Sequence, residues 1–268
     1  MKQRQVIFCM VIIMGMFSTA CWLGQEVTVA PAFIATPDMT ETQAHLPTAV
    51  PATATPMAEM PVLGSRSIQE KSTQPQYSIA ADYAVLQGNP AAADPFNQAM
   101  DTFIKKTVSG FKQDAAQEPA DVQTGGSYID IHFSTTLVSS RAVSILYSVT
   151  VYYAGAAHPN SYLVSFNYDI AQKRMLVLKD LFKPGVDYLD LLSNFCSADL
   201  KKSLGESYFE EGTLPKDENF KNWSLQLDGL QIEFNPYQVG PYAVGPQKVM
   251  VPLDTLKNLL LPDGLYLK

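Results

Sequence analysis

His158 is the side chain with the widest chemical scope in this sequence. It stands in VYYAGAAHPNSYLVSFNYD, from Val151 to Asp169, where two strand-forming runs meet at a small-residue join. A neutral imidazole accepts at one nitrogen and donates at the other, so it can act as a general base or tie backbone groups together. Base catalysis needs a second group. A serine–His158–acid set could be completed by Asp169 or Asp180, but no GxSxG motif marks a serine as the nucleophile. Without that partner, the favoured reading is a corner lock at the edge of a binding surface. Gly155 and Ala156 make a low-bulk connection, Pro159 holds His158 extended, and Asn160 can bond nearby backbone.

Other chemistries have less to work with. Within the foldable region the histidines are His132 and His158, and no CxxC or HExxH spacing offers a metal cage. In SYIDIHFS, Ile129, Ile131 and Phe133 share one face. Asp130 and His132 share the other, where a ligand or plain solvent would meet them. Glu210, Glu211, Asp217 and Glu218 cluster in what reads as a loop, where carboxylates are ordinarily solvated rather than paired for glycoside hydrolysis. Asp180, in LKDLF, reads as a turn-fixing residue. Cys196 repeats with Leu189, Leu192 and Leu200 at helical spacing and reads as a small buried hydrophobe. No cofactor motif is present, and the expectation is a non-catalytic protein. Tyrosines favour recognition: Tyr152, Tyr153, Tyr162 and Tyr168 surround the histidine corner, and Tyr237 and Tyr242 flank NPYQVGPYAVGP. Tyrosine buries large area with few rotors, so Tyr153, Tyr168 and Tyr242 join His158 and Asn160 as candidate binding residues.

The elements that must position these groups are partly legible. ADPFNQAMDTFIKKTVSGFKQDAAQ predicts a helix capped by Asp94, with Pro95 in its first turn and Phe96, Met100, Phe103, Ile104, Val108 and Phe111 on one stripe. VDYLDLLSNFCSADLKKSLG predicts a second helix. QYSIAADYAVLQG reads as a strand pair or an irregular strand, and SYIDIHFSTTLVS and AVSILYSVTVYYAG as antiparallel strands with Arg141 near their turn. A further hairpin folds at Ala171–Arg174, another turns at Asp228-Gly229, QKVMVPL is a last strand and LDTLKNLLL a short closing helix. Strand runs interrupted by two helices predict an α+β fold of antiparallel sheets, with no βαβ alternation to suggest a parallel pair.

The N-terminal part reads differently. MKQRQ followed by the apolar VIFCMVIIMGMF has the dimensions of a signal-peptide core, and STAC follows it. Two cleavage readings stand: a lipoprotein box that lipidates Cys21, or ordinary cleavage near Ala20. The first, favoured, predicts an exported protein held at the membrane by a lipid. From residue 22 to about 76 the chain is rich in Thr, Ala and Pro, which predicts a disordered tether reaching roughly 40 Å. With only Cys196 left in the body, no intrachain disulfide can form. The formal charge of −7 becomes −9 once Lys2 and Arg4 leave with residues 1–21. At that balance no phosphate-neutralising surface is expected, hence no nucleic acid, and a basic protein partner suits it.

The order of elements from Tyr77 onward resembles the exported module of RsiV-type anti-sigma factors and PdaC-type peptidoglycan deacetylases. The likeness is carried by YYAGAAHPNSYLVSFNYDIAQKRMLVLKDLF and NFKNWSLQLDGLQIEFNPYQVGPYAVGPQKVMVPLDTL. The sharpest block is Ala157-His158-Pro159-Asn160 with Asn167-Tyr168-Asp169; Ala156 stands where the family turn often has a second glycine. The resemblance implies a deacetylase-associated α+β domain over 77–157 and an RsiV C-terminal-type α+β domain over 158–268. It also implies a lysozyme-like protein or peptidoglycan as partner, at an extracytoplasmic site; the alternatives to a binding head are a cell-wall-modifying hydrolase using His158 and a structural or assembly lipoprotein. Only MKQRQ precedes the apolar run, so sigma binding is not expected, and three histidines do not supply the Asp-His-His metal set of a deacetylase.

Overall fold

The computed structural model describes residues 60–117 and 125–262. The expected leader, Cys21 and most of the expected tether lie outside them. β1 (Val62–Thr73) and β2 (Gln76–Gln87) form a hairpin paired from Val62↔Gln87 to Thr73↔Gln76. The tether expected through residue 76 therefore ends too late. Pro61 and Pro75 bracket the proline-free strand VLGSRSIQEKST, an edge strand that packs only Leu63 and Ile68 against the core. So little apolar content gives no periodic signal, and pairing through backbone groups carries the strand instead.

β2 is one strand, and a long helix follows it. α1 (Pro90–Ala115) starts a turn earlier than expected: Asn89 is the cap, its Oδ1 accepting the Ala91 N–H at 3.0 Å, and Pro90 takes the first position. Pro95 lies inside the helix, where it removes one backbone donor. The expected stripe is real. Phe96, Met100, Ile104, Val108 and Phe111 are buried and Phe103 is half-buried. Fully burying each such side chain contributes about 1.5–3 kcal/mol before entropy is counted.

β3 (Ser127–Val138), β4 (Ala142–Tyr152), β5 (Asn160–Asp169) and the two-residue β6 (Arg174–Met175) complete a six-stranded sheet in the order β1-β2-β3-β4-β5-β6. β2 and β3 are parallel, Tyr77↔Ser127 to Ala81↔Ile131, with α1 in the crossover. That pair corrects the expectation of antiparallel pairing throughout, because β2–α1–β3 is a βαβ unit. The sheet alternates, apart from a bulge in β3 between Thr135 and Leu137. Val143, Ile145, Tyr147 and Val149 on β4, with Tyr162, Val164, Phe166 and Tyr168 on β5, face α1.

The second layer holds α2 (Tyr188–Leu204) and an antiparallel sheet of β7 (Trp223–Gln226), β8 (Gly229–Phe234) and β9 (Gln247–Pro252), closed by α3 (Leu253–Leu256). Leu192, Cys196 and Leu200 of α2 are buried with Trp223, Ile232, Phe234 and Val251. The β7–β8 turn falls on Leu227 and Asp228, one residue before the expected pair. Gly229 is needed for another reason, since a Cβ there would sit 2.3 Å from the Val251 carbonyl oxygen.

The domain boundary expected at 157/158 falls between β4 and β5, which pair from Ala142↔Asp169 to Val151↔Asn160. The first sheet thus continues to Met175. The two layers make an α+β fold.

Candidate functional site

The histidine corner is a seven-residue loop from β4 to β5. Gly155 takes φ +87°, and the Ala156 N–H donates to the Tyr153 carbonyl at 3.0 Å. His158 is exposed; its Nδ1 lies 2.9 Å from the Pro159 carbonyl oxygen, and its ring stacks on Tyr242 at 4.4 Å and 27°. The Tyr242 hydroxyl donates to the same Pro159 oxygen at 2.9 Å. So the histidine does not bridge β4 and β5, as expected of it. It joins the start of β5 to the loop 235–246 of the second layer, where Tyr237 leans on Tyr242 at 5.4 Å. No carboxylate or serine hydroxyl among the described residues bonds to the imidazole.

Of the other expected binding residues, Asn160 is exposed and Tyr153 half-buried. Tyr168 is corrected to a core residue. It has no exposed surface, packs on Phe96 and donates to the Ala92 carbonyl at 2.6 Å. Residue 168 falls on the α1-facing side of β5, which adjacency to the histidine in sequence does not reveal.

Asp130 and His132 do share the face away from α1, but the acid within reach of His132 is Asp82. Its Oδ2 lies 3.4 Å from His132 Nδ1, and its Oδ1 accepts from Ser67 Oγ at 2.6 Å. A serine nucleophile needs the histidine as its base, and here the carboxylate stands between them. Glu210, Glu211, Asp217 and Glu218 are exposed; Glu210 lies 3.5 Å from Lys201, and Asp217 accepts from Tyr188. Cys196 is buried, its thiol pushed up to about 12 by burial and then by Asp199. An inert thiol follows.

A cleft of about 710 Å³ holds the densest charge. Three turns build it: the β3–β4 turn with Arg141, the β5–β6 turn from Asp169 to Arg174, and the 3₁₀ turn Leu178–Leu181 with the segment to Tyr188. The Ile170 N–H donates to the Arg141 carbonyl at 2.9 Å and holds the first two turns together. Arg141, Arg174, Lys179 and Lys183 line the cleft against only two carboxylates, Asp169 and Asp180.

Both acids have structural duties. Asp169 accepts the Gln172 N–H at 2.8 Å, closing its turn. Asp180 accepts the Val177 N–H at 2.9 Å and Arg174 Nη1 at 2.7 Å, the turn-fixing role its sequence suggests. Burial opposes ionisation of Asp180, but Arg174 and the Val177 N–H outweigh it and hold the carboxyl below its ordinary range. Lys183 Nζ donates to the Asn258 carbonyl, while Lys179 has no ion pair among the described residues. One wall carries Phe182 and Tyr188, stacked at 4.4 Å and 5°. Lys179 and Tyr188 also line an adjoining hollow of about 370 Å³ that runs to Trp223. Such a cleft can hold carboxylate or phosphate groups with a flat ring beside them.

Sequence reasoning missed this cleft as a site. Its cations come from SSRAV, QKRML and LKDLFKPG, each unremarkable alone and joined only by the fold. A signal was present, since basic residues recur at three successive turns of an acidic chain.

Residues 179–254 match the family model described as a protein of unknown function, DUF3298. The match begins at Lys179, so one wall of the cleft lies within it and the Arg141–Arg174 wall precedes it. Over 188 residues the chain is 26% identical to the peptidoglycan-N-acetylmuramic acid deacetylase PdaC of Bacillus subtilis (strain 168), covering 69% of this chain. The chain spans 39% of that relative's length. A DUF3298-family crystal structure from Bacteroides fragilis aligns with a TM-score of 0.58 at 20% identity, covering 78% of this chain and 97% of the other. A second, from Pseudomonas aeruginosa PAO1, aligns at 0.55 and 13% identity, covering 76% and 96%. These likenesses establish a shared fold. Among the described residues no helix is long and apolar enough to cross a membrane, and no group of three or more metal-ligating side chains gathers.

Proposed function

We propose that this chain is exported, anchored to the membrane through a lipid on Cys21, and binds an anionic cell-wall component in the Arg141–Lys183 cleft without transforming it. One observation carries the reading: four cations converge on one cleft of a chain whose net charge is −7. Peptidoglycan presents carboxylates on its peptide stems, and charge-assisted hydrogen bonds to such groups are worth about 1.5–3 kcal/mol each. The Phe182–Tyr188 stack adds an apolar surface beside them. Similarity to a protein named as a peptidoglycan deacetylase supports a wall setting, and the extracytoplasmic placement rests on the sequence of residues 1–21. Binding rather than turnover is favoured by His158, whose ring is stacked on Tyr242 and bonds no acid or hydroxyl among the described residues.

A second reading, a basic lysozyme-like protein as partner, is favoured by the acidic balance of the chain as a whole. Co-sedimentation with purified peptidoglycan, run beside capture on immobilised lysozyme, separates the two. The cleft reading predicts salt-sensitive retention on peptidoglycan. Retention on lysozyme with none on peptidoglycan would replace it with the second.

A further inference from the structure

Gly110 lies in the interior of α1, where glycine is destabilising relative to alanine because it leaves more backbone freedom in the unfolded chain. No close contact requires it. A Cβ built there meets no heavy atom within 4 Å, and its φ is not left-handed. The missing side chain lies on the wall of a groove of about 440 Å³, between the flank of α1 and the ends of β3, β4 and β5. Phe103, Thr107, Gly110, Phe111 and Asp114 recur along one helical stripe to make its helix wall. Tyr153, in the loop after β4, and Tyr162, on β5, form the facing wall.

The groove's aromatic surface comes from the half-buried Phe103, Tyr153 and Tyr162, with buried Phe111 behind Tyr153, and polar side chains line it as well. Phe111 and Tyr153 stack at 5.8 Å and 27°, and Asp114 Oδ2 accepts the Tyr153 hydroxyl at 3.0 Å, fixing that ring. Around the rim stand the Lys106 ammonium, the Thr107 hydroxyl, the Asn160 amide and the Tyr162 hydroxyl. Among the described residues none of these four side-chain groups has a hydrogen-bond partner. Burial holds the Tyr162 phenol above its ordinary pKa, so it stays a hydroxyl donor.

Ligand chemistry follows from that pattern. An aliphatic chain would fill the groove yet cover the rim groups without satisfying them. A multiply charged anion would meet one lysine with Asp114 close by. A pyranose ring matches both features, laying its C–H face on an aromatic ring while its equatorial hydroxyls meet the rim. The volume lies within the small-molecule range of roughly 300–1,000 Å³. We propose that this groove binds a pyranose ring of a neutral glycan, and that Gly110 is present to leave room for it. The site shares no lining residue with the cationic cleft and does not depend on that cleft's role.

The test is calorimetric titration of the protein with two uncharged trisaccharides, chitotriose and maltotriose, at high salt, where the cationic cleft is screened. Adenosine serves as a flat non-glycan control. Saturable binding of at least one trisaccharide is expected, weakened at least tenfold by Gly110→Leu, which projects a side chain into the open groove. The thermal midpoint of Gly110→Leu is expected to equal or exceed that of the parent, showing that the loss is not unfolding. The proposal is overturned if neither trisaccharide saturates, if Gly110→Leu binds as tightly as the parent, or if adenosine binds more tightly than both sugars.

Discussion

Glu233 on β8 has 1% of its surface exposed, yet it carries a carboxyl group. Its Oε1 accepts from Ser224 Oγ and from Gln231 Nε2 at 2.9 Å, while Oε2 has no hydrogen-bond partner among the described residues. Burial raises its pKa. The hydrogen bonds from Ser224 and Gln231 and the charge of Lys248, its neighbour across on β9, oppose the rise without cancelling it. The folded state therefore holds this proton more tightly than the unfolded chain, whose carboxyl titrates near 4.5. Stability from this group is full below that value and falls as pH rises through the folded pKa, by about 1.4 kcal/mol per pH unit crossed. Denaturant unfolding across acid and neutral pH should show that decline, and Glu233→Gln should flatten it. An unchanged pH profile in the variant would mean that another group is responsible. Composition does not reveal Glu233, because its neighbours Ile232 and Phe234 make QIEF read as ordinary alternation. The site residues were unevenly legible for the same reason. His158 stacks on Tyr242, and Tyr153 and Asn160 line the groove beside α1, but Tyr168 belongs to the core, and strand parity alone decides that.

At the scale of elements, β7 meets the first sheet through side chains rather than through a ladder. Ser144 Oγ accepts the Leu225 N–H at 3.0 Å and donates to Asn167 Oδ1, whose Nδ2 donates to the Trp223 carbonyl at 2.7 Å. The unpaired edge of β5 is closed in the same way: Asn235 Oδ1 accepts the Leu163 N–H at 2.6 Å, and Asn222 Nδ2 donates to the Leu163 carbonyl at 3.0 Å. Covering an edge protects it from pairing with other chains. Asn235→Ala leaves the Leu163 N–H without its partner and should cost about 1–3 kcal/mol by denaturant unfolding. A loss under about 0.5 kcal/mol would mean that water replaces the amide at this edge. Nothing in the sequence announces these contacts, since asparagines in NPYQ and FKNW look like turn residues. What periodicity does reveal is the long stripe of α1, the stripe of α2 and the alternation of β3 and β4. It fails for β1, which buries little, and for the β2–β3 pairing, which depends on where α1 returns the chain.

Over the whole molecule, charge is distributed against its average. An acidic chain gathers Arg141, Arg174, Lys179 and Lys183 at one cleft, while a separate groove beside α1 combines aromatic side chains with mostly uncharged polar ones. A wall polymer offers partners for both, with carboxylates on its peptides and pyranose rings along its strands. The cleft spans the two layers, taking Arg141 and Arg174 from the first sheet and Lys179 and Lys183 from the segment that leads to α2. Its residues come from three separate turns that the fold brings together, so the charge pattern is a property of the fold rather than of any motif. The most direct measurement is a titration with a soluble muropeptide bearing free carboxylates, comparing the protein with its Lys179→Glu/Lys183→Glu form at low and high salt. Anion capture in the cleft predicts at least tenfold weaker binding for the double variant, about 1.4 kcal/mol or more, and a salt-dependent affinity for the parent. Equal affinity in the two proteins, or binding indifferent to salt, would contradict it.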